Sequence, residues 1–464
     1  MRRTKIVATI GPATHGQAML ELLLAAGVDV ARVNFSHGSA EEHAETIAHV
    51  RAAAAAVERP VAVLCDLPGP KLRIGELERP IGIESGQEVL LGEGGELPLT
   101  EPSLVLHAQE GHRVLIDDGA VALSVVGRRG DAIVTRALNK GRVDTHKGVN
   151  LPDTSLPIPA LTARDRELLG VAVDLDVDYI ALSFVRRAAD VLELREALAE
   201  LGGRQLVVVK IEKAEALSEI GSIVAAADVV MVARGDLGVE IPPAEVPIWQ
   251  KHIIHACVVA GRPVITATQM LQSMVSCPRP TRAEANDVAN AIYDATDAVM
   301  LSAETAVGEY PLEAVSTMAQ IATTIEADIE RNGRAPQPWA MDGSDIPDAI
   351  SYGACDVARK VGARALITAT ASGATARAVA KHRPSQPIVA VSPDPGVVGQ
   401  LALVWGVVPL LSTPHDHFEA VVEEADHLVR ERGLAAVGET VVITAGVQSG
   451  QPGSTNLIKA HVIG

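Results

Sequence analysis

The sequence predicts an α/β protein that combines a (β/α)₈ TIM barrel, an inserted small β-barrel lid domain and a C-terminal doubly wound α/β domain. Three observations predict this architecture. Eight short apolar runs alternate with helical segments before residue 332. Between residues 70 and 157, short runs with period-two patterning interrupt that alternation. After a stretch rich in Pro and Gly, a second series of alternating strands and helices begins.

The composition is that of a globular protein with several domains. A chain of 464 residues is too long for one hydrophobic core, and 48% hydrophobic and 21% charged residues are ordinary values. Only 2% of the residues are aromatic, so the cores must be aliphatic. The formal net charge of −18 argues against nonspecific binding to nucleic acid or to an anionic membrane. It leaves room for a local basic cleft that binds an anionic substrate.

The cysteines and the N-terminus favour a cytoplasmic protein. The four cysteines form no CxxC pair and read as reduced thiols: Cys65, Cys257, Cys277 and Cys355. Arg2 and Arg3 precede a strand pattern rather than the apolar core of a signal peptide. No apolar run reaches the roughly 18 residues of a membrane span. We therefore expect a cytoplasmic location and no membrane contact.

The first barrel segment, residues 1–69, is predicted to contain three strands and two helices. The predicted strands are 4–10, 28–33 and 60–65, and the predicted helices are 16–26 and 39–57. Gly11-Pro12 ends the first strand, and Asp66 follows the third. A β-α-β-α-β order implies a parallel sheet.

Residues 70–157, the β insertion, predict a separate all-β unit. Asp118-Gly119 stands between two alternating runs and is a hairpin turn signal. The insertion leaves from the C-terminal end of the third strand, where active sites of such barrels lie. We therefore expect it to act as a lid.

The remaining elements complete the barrel over residues 158–331 and form a second domain over 347–464. The predicted barrel strands are 179–183, 206–210, 229–233, 263–267 and 298–301. The predicted barrel helices are 163–174, 188–200, 214–226, 243–260, 281–294 and 311–331. Residues 332–346 predict a linker, and the last apolar run, 456–463, predicts an edge strand.

Two neighbouring predicted strands end in charged residues that indicate a catalytic site. Lys210 and Glu212 are two positions apart in a strand, so their side chains point to the same face. If the next strand lies alongside, Glu212 and Asp236 can share a magnesium ion, which accepts two carboxylates and keeps several waters. Lys210 beside such a metal suits chemistry on a phosphate or an enolate. A single K-x-E motif would more simply be a capped strand end with solvated salt bridges.

The recurrence of polar residues at the other strand ends favours the catalytic interpretation. These residues are Asn34, Ser36, Asp66, Ser183, Thr268 and Glu304. Arg32 offers a planar donor fork for phosphate, although a plain Ser/Asn-rich turn is the alternative for residues 32–37. Lys71 and Arg73 add positive charge at the cleft or form a solvated basic face.

Two strand-to-helix turns can bind anions through free backbone N–H groups. Gly235-Asp236 opens a short helical turn that can hold a carboxylate or phosphate, with a plain helix cap as the alternative. The second turn is either a phosphate-binding loop or a simple Ser N-cap. Its residues are Thr370, Ser372, Gly373 and Thr375. The sequence contains no Walker A motif, so a nucleotide is not held by a P-loop.

The motifs resemble those of the pyruvate kinase family, in fixed order and over essentially the whole chain. They are TKIVATIGPAT (4–14), ARVNFSHGS (31–39), KIE (210–212), ARGDLGVEIP (233–242), ATQML (267–271), PRPTRAEANDVANAI (278–292) and LSAETAVGEYPLEAV (301–315). The resemblance implies conversion of phosphoenolpyruvate and ADP to pyruvate and ATP, with Mg²⁺ or Mn²⁺. It also implies a cytoplasmic homotetramer.

The resemblance also implies roles for individual residues. Glu212 and Asp236 are similar to the family's metal ligands, and Lys210 to the lysine that stabilises phosphoryl and enolate charge. Arg32 and Arg73 resemble phosphate contacts. The N–H groups of Gly235 and Asp236, with the Thr268 hydroxyl, resemble the site for the substrate carboxylate, and Thr268 is a candidate for the proton relay. The residues that resemble the nucleotide contacts are Pro12, Asn34, His37, Arg73 and Lys147.

One departure from the family concerns its monovalent-cation site. That site uses the positions of Asn34, Ser36 and Asp66, and the next position is threonine in potassium-dependent members. Leu67 stands there in this chain and offers no ligand. Where those members carry glutamate, this chain has Lys71, whose ammonium can replace the charge of potassium. We expect activity without potassium.

A second departure concerns the effector loop, and two other functions stay open. Ala371 and Ala374 lack the basic character that accompanies fructose 1,6-bisphosphate binding, so we expect a monophosphorylated effector such as AMP or a sugar monophosphate. A lyase or aldolase could use the same barrel, magnesium and an enolate, but it needs no ADP site. A catalytically silent metabolite-sensing module is the third possibility, against which the intact Lys210 and Thr268 argue.

Overall fold

The computed structural model describes residues 1–332, 345–415, 417–446 and 455–464. The predicted linker over 332–346 therefore lies outside the described residues, apart from its end positions. Among the described residues, no helix combines the length and the apolar character that crossing a membrane requires.

A closed barrel of eight parallel strands forms from two separate stretches of the chain, as predicted. The first stretch contains β1 Lys5–Ile10, α1 Gln17–Ala26, β2 Val30–Asn34, α2 Ala40–Ala56 and β3 Ala62–Asp66. Every residue of β1 and β3 is buried, because helices cover the outside of the barrel and side chains fill its inside. Ser39 caps α2 in a capping box with Glu42, which explains why the predicted helix begins there.

The β insertion is all-β, but its strands form two sheets rather than one closed barrel. It contains β4 Ile81–Ile83, β5 Glu88–Gly92, β6 Arg113–Ile116, β7 Val121–Arg129, β8 Ala132–Ala137, β9 Gly141–Val143 and β10 Val149–Asn150. The order β10-β6-β7-β8-β5 makes one sheet, and β4 pairs with β9. The insertion has its own core of buried aliphatic side chains.

The second stretch completes the barrel. It contains α3 Ala163–Asp174, β11 Tyr179–Leu182, α4 Ala188–Glu200, β12 Leu206–Ile211, α5 Ala214–Ser218, α6 Ile220–Ala226, β13 Val229–Ala233, α7 Arg234–Glu240, α8 Val246–Val259, β14 Val264–Ala267, α9 Arg282–Tyr293, β15 Ala298–Leu301, α10 Ala303–Ala306 and α11 Pro311–Asn332. The helix expected over 214–226 is two helices, since the backbone leaves helical geometry at Glu219. The helix expected from 243 begins at Val246, which puts Pro247 in the first turn, where its missing N–H is not needed.

The C-terminal domain is an α/β unit around a five-stranded sheet of order β18-β17-β16-β19-β20. Its elements are α12 Ile346–Lys360, β16 Leu366–Ala369, α13 Ala374–Lys381, β17 Ile388–Ser392, α14 Pro395–Leu401, β18 Val407–Leu411, α15 Phe418–Glu431, β19 Thr440–Gly446 and β20 Thr455–Val462. The last strand pairs antiparallel with β19 at the edge of the sheet, so the predicted edge strand is present.

The C-terminal domain is docked on the barrel through buried apolar and ionic contacts. Ala402 and Leu403 belong to the same core cluster as the inward-facing residues of the barrel strands. The Lys5 ammonium donates to the carbonyl of Val407 at 2.8 Å. Arg383 binds both carboxylate oxygens of Asp297, at 2.9 and 3.0 Å, and both side chains are 6% exposed.

Replacing Arg383 by methionine is expected to weaken this docking. The change leaves the Asp297 carboxylate buried without its partner, which costs about 3 kcal/mol of unfolding free energy. Urea denaturation followed by fluorescence and circular dichroism measures the effect. Arg359→Met is the matched control, because Arg359 is 71% exposed in its pair with Asp356 and contributes about 1 kcal/mol or less. Equal losses in the two variants would contradict the prediction.

Candidate active site

Lys210 stands at the centre of a buried charge cluster at the C-terminal end of the barrel. Its ammonium lies 2.8 Å from Glu212 Oε1 and 3.3 Å from Asp66 Oδ1, and it donates to Ser183 Oγ at 2.8 Å. The side chains of Glu212 and Asp66 are 1% and 2% exposed. Burial acts to lower the pKa of Lys210, but the two carboxylates outweigh burial and raise it. Lys210 is therefore a fixed positive charge inside the site.

Arg32 is held on the other side of Asp66. Arg32 Nε donates to Asp66 Oδ2 at 2.8 Å, and Nη1 donates to Thr9 Oγ1 at 2.9 Å. Burial acts to raise the pKa of Asp66, but Lys210 and Arg32 together lower it below its ordinary value. One ionised carboxylate thus orients two cations toward the mouth of the barrel.

Glu212 and Asp236 lie on neighbouring strand ends, as predicted. Strands β12 and β13 are paired in parallel, with Lys210 opposite Met231. The backbone N–H of Phe184, a residue with φ 57°, donates to Glu212 Oε2 at 2.7 Å. Burial and the negative charge of Asp236 raise the pKa of Glu212, although Lys210 opposes them.

The Glu212–Asp236 pair fits a divalent cation. Burial is the largest cause of the raised pKa of Glu212, and the negative charge of the nearby Asp236 adds to it, so the two carboxylates lie close enough to influence each other. Among the described residues, no group of three or more His, Cys, Asp or Glu side chains is arranged to hold a metal. Two carboxylates suit magnesium, because this ion usually keeps several waters and binds substrate phosphates rather than an all-protein cage.

Thr268 meets the start of α7 in a strained turn. The Gly235 N–H donates to Thr268 Oγ1 at 2.7 Å. A Cβ on Gly235 would lie 3.2 Å from that oxygen, so the contact favours glycine. Thr268 has φ 67°, which is costly for a β-branched residue, and Gln269 has φ 54°. Such strain concentrates at functional sites, which agrees with the predicted role of this turn.

Arg234 and Glu304 hold that turn, and their roles were not predicted from the sequence. Arg234 Nη2 donates to the carbonyl of Thr268 at 2.8 Å, while Nη1 donates to Asp287 Oδ1 at 2.8 Å. Glu304, which is fully buried, accepts from the N–H of Leu271 at 3.0 Å. Arg234 directly follows β13, and Glu304 lies three residues after the end of β15, so the available signal was a charged residue close to the end of a buried strand.

A cleft of about 290 Å³ separates the barrel from the β insertion. Residues predicted to contact substrate line it together with acidic residues of the insertion: Lys71, Arg73, Asp117, Asp118 and Asp236. Desolvation and the charges of Asp236 and Asp117 raise the pKa of Asp118, and Lys71 opposes this. The sequence predicted Asp118 only as part of a turn; the signal missed was the Asp-Asp pair in that turn.

The predicted nucleotide contacts come from both sides of this region. Pro12 and His37 are exposed after the ends of the adjacent strands β1 and β2, and Asn34 ends β2. From the insertion, Arg73 donates to the carbonyl of His146 at 2.9 Å. Lys147 pairs with Asp117 at 3.0 Å, which places it at the edge of the cleft.

The residues of the predicted monovalent-cation site are also near one another. Asn34 and Asp66 are register partners in β2 and β3, and Asn34 Oδ1 accepts from the Ser36 N–H at 3.1 Å. Leu67 is 1% exposed and packs in the barrel core. Lys71 is exposed and lines the cleft with Asp118 and Asp236 rather than pairing with Asp66.

The predicted effector loop forms the turn between β16 and α13. Gly373, with φ 77°, precedes the first residue of α13. The Thr375 hydroxyl lies 2.7 Å from the hydroxyl of Thr455, and the Ser372 carbonyl accepts from Arg377 at 3.0 Å. The N–H of Thr370 donates to the carbonyl of Val391 at 3.0 Å.

Comparison with known proteins agrees with this architecture. Residues 1–315 match the family "Pyruvate kinase, barrel domain", and residues 348–461 match "Pyruvate kinase, alpha/beta domain". Pyruvate kinase of Geobacillus stearothermophilus is 46% identical over the whole of this chain and 80% of its own length. Pyruvate kinase of Staphylococcus aureus (strain USA300) is 42% identical, again over the whole chain and 81% of its own length. With both domains matched and the barrel, cleft and charge cluster in place, the chain belongs to the pyruvate kinase family of phosphotransferases.

Proposed function

We propose that this protein transfers the phosphoryl group of phosphoenolpyruvate to ADP, giving pyruvate and ATP, and that it requires Mg²⁺ or Mn²⁺. The observation that carries the proposal is the buried cluster of Lys210, Glu212 and Asp66 beside Asp236. Glu212 and Asp236 would hold the divalent cation, which when bound neutralises phosphate charge. This division of labour, positioning plus electrostatic stabilisation, is what phosphoryl transfer needs.

The chain's own residues position the substrate and stabilise its negative charge. Arg32, Lys210 and Arg73 surround the phosphoryl group, which leaves the enolate oxygen and bonds to a terminal phosphate oxygen of ADP. Lys210 then stabilises the negative charge that stays on the enolate oxygen. Protonation of the enolate carbon, with a proton relayed through Thr268, completes pyruvate.

The remaining contacts orient the two substrates. The N–H groups of Gly235 and Asp236 bind the substrate carboxylate together with the Thr268 hydroxyl. In the structure the Gly235 N–H donates to Thr268 Oγ1 at 2.7 Å, so a bound carboxylate would replace Thr268 as the acceptor of that N–H. The nucleotide is held by residues from the barrel and the insertion: Pro12, Asn34, His37, Arg73 and Lys147.

The decisive assay measures pyruvate formation from phosphoenolpyruvate and ADP with and without magnesium. Metal-dependent pyruvate and ATP in equal amounts support the proposal. Absence of transfer, even with AMP or a sugar monophosphate added, would overturn it and favour a lyase or a sensing module. Pyruvate formed from a larger acid without ADP would identify a lyase.

We further propose that the enzyme works without potassium. Leu67 is packed in the core and offers no side-chain oxygen, while Asp66 is already paired with Arg32 and Lys210. The ammonium of Lys71 supplies positive charge at the cleft instead. Equal activity in potassium-free and potassium-containing buffer is the expected result.

Lys71→Glu is expected to lower kcat about tenfold without potassium, because it reverses a charge at the cleft. Adding Leu67→Thr is expected to make the double variant respond to potassium. Steady-state kinetics across potassium concentrations measure this, with Lys140→Glu as the control at an exposed site of the insertion. A Lys71→Glu enzyme as active as the control in potassium-free buffer would refute the role of Lys71.

The regulatory proposals concern the C-terminal domain and the assembly. We propose that the turn formed by Thr370, Ser372, Gly373 and Thr375 binds a monophosphorylated effector such as AMP or a sugar monophosphate. Titration with both monophosphates and bisphosphates tests this, and activation by bisphosphates alone would refute it. We also propose a cytoplasmic homotetramer, which light scattering and cell fractionation test.

A further inference from the structure

Glu240 connects the β insertion to the catalytic face of the barrel through one buried carboxylate. Its side chain is 2% exposed. The oxygen Oε1 accepts from Lys213 Nζ at 2.7 Å and from Asn150 Nδ2 at 3.1 Å. Asn150 belongs to β10 of the insertion, and Lys213 directly follows Glu212 in the chain. Three separate segments therefore meet at one oxygen atom.

The position of this contact links the insertion to the proposed metal ligands. Glu240 ends the seven-residue helix α7, which also carries Gly235 and Asp236. A helix of this length is about 10 Å long, so Glu240 and Asp236 belong to one short rigid element. On the insertion side, Asn150 pairs with Leu115 of β6. Strand β6 leads directly into the Asp117-Asp118 turn that lines the cleft.

Two further contacts lie where the chain enters and leaves the insertion. At the entry, the Gly69 N–H donates to Asp165 Oδ1 at 3.1 Å. At the exit, Arg186 Nη1 donates to the carbonyl of Leu156 at 2.6 Å. These contacts define two hinges but do not set how far the insertion lies from the cleft. The contact between Asn150 and Glu240 is made by the body of the insertion.

We propose that Glu240 is a positioning residue: it holds Asn150, keeps the insertion over the cleft and thereby sets Arg73, Lys147 and Asp118 opposite Asp236. Lys213 is the ionic partner of this buried carboxylate. The proposal rests on the phosphoryl-transfer function, because its kinetic consequence concerns the substrates of that reaction. If the insertion is held less often in its binding position, the apparent affinity for substrate falls in proportion.

A double-mutant cycle of Asn150→Ala and Glu240→Ala tests the proposal. Each single variant is expected to raise the KM for ADP about tenfold, since a hydrogen bond to a charged group is lost. Asn150→Ala is expected to leave kcat within about twofold, whereas general misfolding would lower kcat at unchanged KM. The double variant is expected to have the KM of Glu240→Ala, because both changes break one contact. Asn139→Ala, which removes hydrogen bonds inside the insertion only, is the matched control.

Amide hydrogen exchange on the same variants provides a measurement that does not depend on activity. Asn150→Ala is expected to speed exchange in α7 as well as in β10, although only β10 carries the substitution. If the wild-type protein lacked kinase activity but exchange showed this coupling, the positioning role would stand and the proposed function would fall. If KM effects multiplied in the double variant and α7 exchange were unchanged by Asn150→Ala, the positioning role would be overturned.

Discussion

Lys210→Met is expected to lower kcat about 1,000-fold, because it removes the fixed positive charge at which phosphoryl and enolate charge develops. In the resting protein that ammonium is held 2.8 Å from Glu212 and 3.3 Å from Asp66. Methionine keeps most of the volume of lysine but leaves Glu212 without its cationic partner. We therefore also expect a stability loss of about 3 kcal/mol, measured by urea denaturation.

Kinetics and denaturation together separate the two effects of Lys210→Met. Assays are run in conditions where denaturation shows the variant to be folded. Lys251→Met is the control, because Lys251 also pairs with a carboxylate, Asp294, but is 59% exposed and distant from the cleft. A folded Lys210→Met enzyme with more than a tenth of wild-type kcat would show that this charge does not act on the transition state.

Glu212→Gln is expected to weaken divalent-metal binding. It is also expected to lower kcat about 100- to 1,000-fold, because the metal supplies several kcal/mol of stabilisation to the charge of the transition state. Glutamine keeps the shape and can still accept the Phe184 N–H through its amide oxygen. The carboxylate charge of Glu212 is lost, and with it one of the two negative charges proposed to bind the metal. Direct titration with Mn²⁺ by electron paramagnetic resonance measures binding independently of turnover.

Glu215→Gln is the matched control for the metal titration. Glu215 lines the cleft with Asp236 and follows Glu212 by three residues, but it is not a predicted ligand. Its substitution is expected to leave Mn²⁺ affinity unchanged. Wild-type Mn²⁺ affinity in Glu212→Gln would assign the metal to other residues.

The fold was largely predictable because it rests on local patterns. Buried parallel strands such as 229–233 are continuous apolar runs, and their limits match the observed strand. The differences between predicted and observed helix limits also have local causes. Helix α8 begins at Val246 so that Pro247 lies in its first turn, and the backbone leaves helical geometry at Glu219, within the predicted helix 214–226. The alternation of apolar and polar residues predicted the β insertion. The same alternation does not distinguish two separate sheets from one closed sheet. Which strands pair there depends on contacts between residues far apart in the chain.

Part of the candidate site was predictable for a topological reason. Parallel strands of a barrel all end on the same face, so charged residues that follow those strands must converge. Strand direction alone therefore predicts that Lys210, Glu212, Asp66 and Asp236 lie on one face of the barrel. Barrel topology does not identify residues whose role depends on how the insertion lies over the barrel, such as Asp118 and Glu240.

The sequence by itself determined the barrel, the C-terminal α/β domain and the convergence of charges at the strand ends, because period, turn chemistry and strand direction are local properties. Only the tertiary structure decided which charges pair. Asp66 is shared by Arg32 and Lys210, the Gly235 N–H is taken by Thr268, and Glu240 joins Asn150 to Lys213. These pairings depend on distances of a few ångström between residues up to 144 positions apart in the chain. Such distances are set by packing, which no local pattern encodes.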